Sequence, residues 1–243
     1  MKKKNHIDPY KYVSSIYIHL MDFVDYKWWA KYIYSITANH LSKSPSVLEL
    51  GAGNCKLANH LSKNYKDYIA SDISLSMLSG ADNKIKKVCC DMTAIPFNKK
   101  FDLIFSAFDS INYLTNKAKL KSLLDAVNAH LSDNGIFTFD AALINNSLKH
   151  QKTASINGYH NGIEYSRISK FYPFSRIHKN IFRIIHSGKT ITETHKQKIF
   201  DFETYFEIAD KCNLYVAECF KAFTFQKGKP TSDRVQFIMK RIT

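Results

Sequence analysis

Val47-Leu-Glu-Leu-Gly-Ala-Gly53 is an apolar run that ends in a glycine turn, and the next apolar run, Tyr68-Ile-Ala-Ser71, ends in Asp72. A strand feeding a glycine turn, with a carboxylate about twenty residues later at the end of the following strand, is how an α/β sheet grips an adenosine. Gly51 and Gly53 let backbone approach a ligand where a Cβ would clash. Asp72 is placed to accept hydrogen bonds from two ribose hydroxyls.

A dinucleotide turn adds a third small residue, Gly-x-Gly-x-x-Gly, for close helix–strand packing around a pyrophosphate. Here that place is Lys56, long and charged. The pattern therefore favours an adenosine cofactor without phosphate, and S-adenosylmethionine fits.

Working outward, residues 8–42 read as helical, with aromatics at helical spacing from Tyr10 through Tyr17, Tyr26, Trp29 and Tyr32. Strand one is Val47 to Leu50 and a helix is expected over Cys55 to Lys63. Strand two is Tyr68 to Ser71, and Ser74 caps the short helix that follows. Strand three, Lys87 to Cys90, ends in Asp91. Strand four is Phe101 to Ser106. A helix over Lys117 to Leu131 is ended by Ser-Asp-Asn-Gly at 132–135, and strand five is Gly135 to Asp140. Strands without polar alternation are buried on both faces, as in a parallel sheet, and their alternation with helices implies a doubly wound α/β fold.

The period changes after residue 150. From Thr153 to Phe200 polar and apolar residues alternate, with turn signals at Asn157-Gly158, Asn161-Gly162, Pro173 and Ser187-Gly188. Three or four antiparallel strands are inserted here. The division is 1–149 for the N-terminal helices and cofactor half, 150–200 for the β insertion as an acceptor cap, and 201–243 for the remainder of the α/β domain.

The 243 residues, 45% hydrophobic, suffice for one α/β domain with an insertion. No run of eighteen apolar residues predicts a membrane helix, and the basic start Met1 to His6 lacks the apolar stretch of a signal peptide. The five cysteines form no Cys-x-x-Cys, so neither a disulfide framework, a zinc site nor any other metal is expected, and a reducing cytoplasm is the natural compartment. The formal charge of +14 raises nucleic acid as a partner, but the lysines are scattered rather than gathered on one helix.

Four words in order, Val47 to Gly53, Ser71-Asp72-Ile73-Ser74-Leu-Ser-Met77-Leu78, Cys90-Asp91-Met92 and Phe101 to Ser106, resemble the cofactor motifs of class I S-adenosylmethionine-dependent methyltransferases. A finer resemblance is to bacterial small-molecule enzymes that include sugar-amine N-methyltransferases. It rests on the Tyr/Trp helix Asp25 to Ile33, on Phe108-Asp-Ser-Ile-Asn-Tyr-Leu114, on the insertion after strand five and on Arg234 before the last strand. Two departures stand out. Cys55 replaces a third glycine often found in the turn, and Tyr17-Ile18 stands where the subgroup has Tyr-Asp.

The resemblance implies a Rossmann-like seven-stranded methyltransferase fold with an antiparallel β insertion after strand five. It implies that Glu49 orients the methionine ammonium, directly or through water, and that the Gly51, Ala52 and Gly53 backbone contacts the methionine part. Asp72 would hold the ribose, with Ile73 on the adenine face. Asp91 would accept the adenine amino group beside Met92, Phe108 would lie near the reactive methyl, and Tyr26 and Tyr17 would cover the site. No catalytic base is identified. Tyr113, His150, His160, His195 and Arg234 are candidates for the acceptor pocket, while His40, His60 and His130 read as helix-end residues. The expected activity is methyl transfer to a small-molecule amine or hydroxyl. An RNA methyltransferase and a non-catalytic cofactor-binding partner are the alternatives. An exposed insertion sheet is compatible with a homodimer.

Overall fold

A computed structural model describes residues 8–82, 84–152 and 155–242. The basic start, Met1 to His6, and Thr153 lie outside the described residues. One sheet has the order β10-β11-β5-β4-β1-β2-β3. Its members are β1 (Ser46–Leu50), β2 (Asp67–Asp72), β3 (Lys86–Cys89), β4 (Phe101–Ser106), β5 (Leu131–Ala142), β10 (Leu214–Lys221) and β11 (Arg234–Arg241). The five strands β5 to β3 are parallel, while β11 and β10 run antiparallel at one edge. This is the Rossmann-like methyltransferase fold.

Both faces are covered, as the unbroken apolar strands require. Leu48, Leu50, Ile104 and Phe137 pack under α5 (Lys117–His130) and α7 (Phe202–Asp210). Val47, Leu103, Phe105 and Ile136 pack under α2 (Tyr26–Thr37) and α3 (Ala58–Leu61). The chain leaves β1 towards β2 on one side, and β4 lies on the other, so a crevice opens at the carboxyl ends of β1 and β4. Such a switch point is where open α/β sheets bind ligands.

The expected single helix over 8–42 is two. α1 (Ser14–Leu20) ends at a turn, and Asp25 starts α2 afresh by accepting the Trp28 N–H at 2.8 Å. The break lets α1 fold across the crevice. The expected stop at Ser132 to Gly135 is instead a bulge within β5. Phe101 pairs with Leu131 but Leu103 with Ile136, and a Cβ on Gly135 would meet the Phe101 carbonyl oxygen at 2.9 Å. A helix that the sequence reading did not include, α6 (Ile144–Lys152), links β5 to the insertion. The short helix α4 (Leu75–Ser79) is capped by Ser74 Oγ, as expected, which accepts the Met77 N–H at 3.1 Å.

The insertion is a four-stranded antiparallel sheet: β6 (Ser155–His160), β7 (Ile163–Tyr172), β8 (Ile177–His186) and β9 (Lys189–Lys198). Asn161-Gly162 and Ser187-Gly188 both have positive φ and make tight hairpins, as their sequence signalled. Asn157-Gly158 is not a turn but part of β6. Gly158 lies beneath the Tyr165 ring, where a Cβ would fall 2.2 Å from Tyr165 Oη.

The helix expected from Cys55 is regular only over Ala58–Leu61. Cys55 precedes it at φ +58°, fully buried, in the left-handed region that glycine favours. A side chain there costs roughly 1–2 kcal/mol. Cys55→Gly is therefore expected to be more stable than Cys55→Ala by about 1 kcal/mol, because both lose the thiol but only Ala keeps the strain. Urea denaturation of the two variants checks this, and the opposite order would rule out the strained backbone.

Candidate active site

A cavity of about 740 Å³ occupies the crevice and extends to the insertion sheet. That is within the range of small-ligand sites. Of the residues expected at the cofactor, Tyr17, Tyr26, Gly51, Ala52, Gly53, Asp72, Ile73, Asp91, Met92 and Phe108 all line it. Glu49 does not. It lies behind the turn, 2% exposed, and accepts the Tyr68 hydroxyl at 2.6 Å.

The floor is the glycine turn. Gly51 and Gly53 have φ +72° and +56°. A Cβ on Gly51 would fall 2.9 Å from Ser110 Oγ, and one on Gly53 would fall 3.2 Å from the Met77 methyl. Asp72 holds the turn in place: one oxygen accepts the Gly53 N–H at 2.7 Å and the other the Ser74 N–H at 2.8 Å. Each oxygen keeps a second lone pair. Burial raises the Asp72 pKa, opposed by these N–H donors. Further donors from the cavity side would favour its ionised form. Asp91 lies at the rim, and one of its oxygens receives the Thr93 N–H and hydroxyl, each at 2.8 Å.

The roof is the N-terminal segment. Asp8 accepts the Ser74 hydroxyl at 2.5 Å and the Ser76 N–H at 2.8 Å. Burial works against its charge, but these bonds outweigh it and bring Asp8 down to about 2. Tyr10 donates to the Tyr113 hydroxyl at 2.5 Å and its ring lies 4.3 Å from that of His195. Glu193 accepts the Tyr12 N–H at 2.9 Å and sits 2.7 Å from His195 Nε2, so the roof is tied to β9.

Past β4 the chain turns sharply. Phe108 and Asp109 both have positive φ, +60° and +47°. Two successive left-handed residues with no glycine between them are uncommon, and for the bulky Phe108 the conformation is strained. The turn places the Phe108 ring 3.7 Å from Trp29 and 5.4 Å from Tyr26. Asp109 pairs with Arg234 at 2.6 Å and accepts from Gln197 at 3.2 Å, while its N–H donates to Asp140 at 2.9 Å. Arg234 also pairs with Asp140. The guanidinium is buried, but the two carboxylates hold it protonated.

Tyr113, His150, His195 and Arg234 line the cavity, as expected for the acceptor side. His160 does not; its ring stacks on that of His19 at 4.8 Å. Sequence reasoning passed over Tyr10, Asp109, Arg167, His178 and Phe223. For the residues on β7 and β8 the signal was polar side chains at inward-facing strand positions. Among the described residues no group of three or more His, Cys, Asp or Glu could hold a metal, and no helix is long and apolar enough to cross a membrane.

Residues 47–135 match the methyltransferase-domain family. The protein named "Putative methyltransferase YqeM" of Bacillus subtilis (strain 168) is 25% identical, covering 94% of this chain and 95% of its own. An S-adenosylmethionine-dependent methyltransferase structure from Clostridium acetobutylicum superposes with a TM-score of 0.79 at 24% identity, covering 95% of this chain and 98% of that one. The sugar N-methyltransferase KedS8 from a Streptoalloteichus species gives 0.74 at 16% identity, covering 93% and 92%. In its domain over residues 47–135, and in fold along nearly its whole length, the chain is similar to S-adenosylmethionine-dependent methyltransferases.

Burial, reinforced by Asp72 and opposed by the Tyr68 hydroxyl, pushes Glu49 up to about 7 from an ordinary 4.5. The folded chain therefore holds this proton to a higher pH than the unfolded chain does. Stability should fall as pH rises from 4.5 to about 7 and level off above, a loss on the order of 3 kcal/mol. Glu49→Gln removes the titration and keeps an acceptor for Tyr68. The wild-type-minus-variant stability difference, followed by denaturation across that window, should show the slope. A flat difference would refute the shift.

Proposed function

We propose that this protein methylates a small molecule, an amine or a hydroxyl, held between the glycine turn and the inner face of the insertion sheet. The observation that carries this reading is the continuity of the cavity. One continuous cleft runs from Gly51, Asp72 and Asp91 to Asn180 and His195, beneath the N-terminal segment. A cleft roofed by that segment suits a small acceptor better than a folded RNA, which makes RNA methylation the weaker reading despite the +14 charge.

The residues suit an adenosine-containing cofactor. Gly51 and Gly53 bring bare backbone to the cavity floor, with Ser110 and Met77 packed too close to leave room for a Cβ. The free lone pairs of Asp72 suit two ribose hydroxyls. Ile73 and Met92 offer apolar faces to a purine, and the second Asp91 oxygen suits its amino group. Glu49 would act on a ligand ammonium only through the turn or a water, since it does not reach the cavity. S-adenosylmethionine, when bound, would supply a sulfonium methyl, whose carbon an acceptor lone pair would take in line as the S–C bond breaks and S-adenosylhomocysteine leaves.

The chain's own part is alignment and dryness. Phe108, Trp29 and Tyr26 form an aromatic wall that excludes water beside the turn. Asp109, fixed by Arg234 and Gln197, sets that wall against the insertion. Positioning of this kind supplies most of the barrier reduction when the electrophile is already activated. Residues 150–200 cap the acceptor in this reading, and Tyr17 and Tyr26 cover the cofactor.

Calorimetric titration with S-adenosylmethionine and S-adenosylhomocysteine tests it. Micromolar binding is expected, with Asp72→Ala weakening it about 100-fold or more through loss of two hydrogen bonds to a charged group. Methyl transfer to amines or hydroxyl compounds should exceed transfer to RNA. A folded sample that binds neither ligand at millimolar concentration would refute the reading, and transfer to RNA alone would replace it.

A further inference from the structure

The inner face of the insertion sheet is divided. Register and alternation put Ile163, Tyr165, Arg167, Ser169 and Phe171 of β7 on one face with His178, Asn180, Phe182 and Ile184 of β8. Ile163, Tyr165, Phe182 and Ile184 pack against Val13 and Ile16 beneath the N-terminal segment. Beyond them the same face turns polar, and Arg167, His178, Asn180 and His195 line the cavity.

Arg167 stands where an apolar residue would continue the packed stripe. Its Nε is buried without a hydrogen-bond partner, and among the described residues no carboxylate is within ion-pair distance of it. Arg234, the other arginine on the cavity, has two such partners. His178 is 4% exposed; its Nε2 lies 2.7 Å from Ser169 Oγ and its Nδ1 is buried without a partner. The His150 ring, on α6, meets the His178 ring edge-on at 6.4 Å.

Burial and the neighbouring positive charges depress the two histidines. Burial and then His150 bring His178 down to about 4, with Arg167 adding to the effect. Burial and then Arg167 lower His150. Asp109 is the carboxylate that acts on both histidines, and it is already engaged by Arg234 and Gln197. A water could satisfy the Arg167 Nε–H, but it would leave the deficit of negative charge.

We infer that the acceptor carries an anionic group, a carboxylate or a phosphoryl, that is received by Arg167 with His150 and His178 beside it. The planar guanidinium suits either group through paired N–H donors. The inference rests on the small-molecule reading above and names its substrate class. A purely cationic amine would be repelled from this wall, so the nucleophile and the anion lie at opposite ends of one molecule. Binding of the anion favours the charged histidines, and protons are taken up with it.

The test uses the full chain saturated with S-adenosylhomocysteine and titrated calorimetrically with inorganic pyrophosphate and, separately, with glutarate. One of the two should bind, with a heat that varies with buffer ionisation enthalpy in the sense of proton uptake. Arg167→Met should weaken that binding at least tenfold, Arg167→Lys should restore part of it, and both should leave S-adenosylhomocysteine affinity within twofold. Should Arg167→Met fail to fold, His150→Gln serves instead, with weaker binding and less proton uptake. Pyrophosphate binding assigns a phosphoryl and glutarate binding a carboxylate. Anion binding that survives Arg167→Met comes from the lysine-rich surface and overturns the inference, as does no binding of either probe. Failure to bind S-adenosylhomocysteine would count against the proposed function, while the anion titration without it would still decide the Arg167 site.

Discussion

The guanidinium of Arg234 joins three parts of the chain that are far apart in sequence. It sits at the start of β11 and pairs with Asp140 near the end of β5 and with Asp109 in the turn after β4. Asp109 in turn accepts from Gln197 at the end of β9. The carboxyl edge of the sheet, the turn that lines the cavity and the insertion are thus held by one charge. Asp140 is 1% exposed along its side chain and Arg234 is 19% exposed. Removing one member of such a buried group leaves the others uncompensated, at about 3–5 kcal/mol. The left-handed backbone of Phe108 and Asp109 persists because these bonds fix Asp109 from three directions.

The roof is held differently. Val13 and Ile16 bury against four residues of the insertion, with Tyr10, Tyr17 and Leu20 packed beside them, and polar ties run from Asp8 to Ser74 and Ser76, from Glu193 to the Tyr12 N–H, and from Tyr10 to Tyr113. A segment held by one small apolar cluster and several replaceable hydrogen bonds opens at lower cost than the sheet beneath it. Its anchor on Ser74 adjoins Asp72, whose N–H donor is the same residue's backbone. Occupancy at Asp72 and closure of the roof are therefore physically adjacent events.

The strands, the glycine turn and Asp72 were legible because they depend on short-range rules. A buried parallel strand is an apolar run, and a close approach needs glycine. The hairpins at Asn161-Gly162 and Ser187-Gly188 were legible for the same reason. The break between α1 and α2 was not, because the aromatic spacing runs on through it; only Asp25, a good N-cap, marked the restart. Asn157-Gly158 misled, since glycine there serves the Tyr165 ring rather than a turn. Gly135 misled likewise, serving the Phe101 carbonyl. The bonds of Arg234 with Asp109 and Asp140 span about a hundred residues, and no local pattern announces a pairing at that distance.

The two halves of the cavity follow different logic. The floor is set by backbone: glycines, a strained turn and N–H donors gripping Asp72. Side chains there are constrained by space. The insertion wall is set by side chains on a rigid pleat, where any inward position accepts a substitution without disturbing the ladder. Changing Arg167 or Asn180 alters what the wall attracts, not how the sheet is built. Under the proposed function, an electrophile held by the glycine turn and the strand-end carboxylates would stay constant while the nucleophile varies, because the acceptor would be met by residues that the main chain does not need.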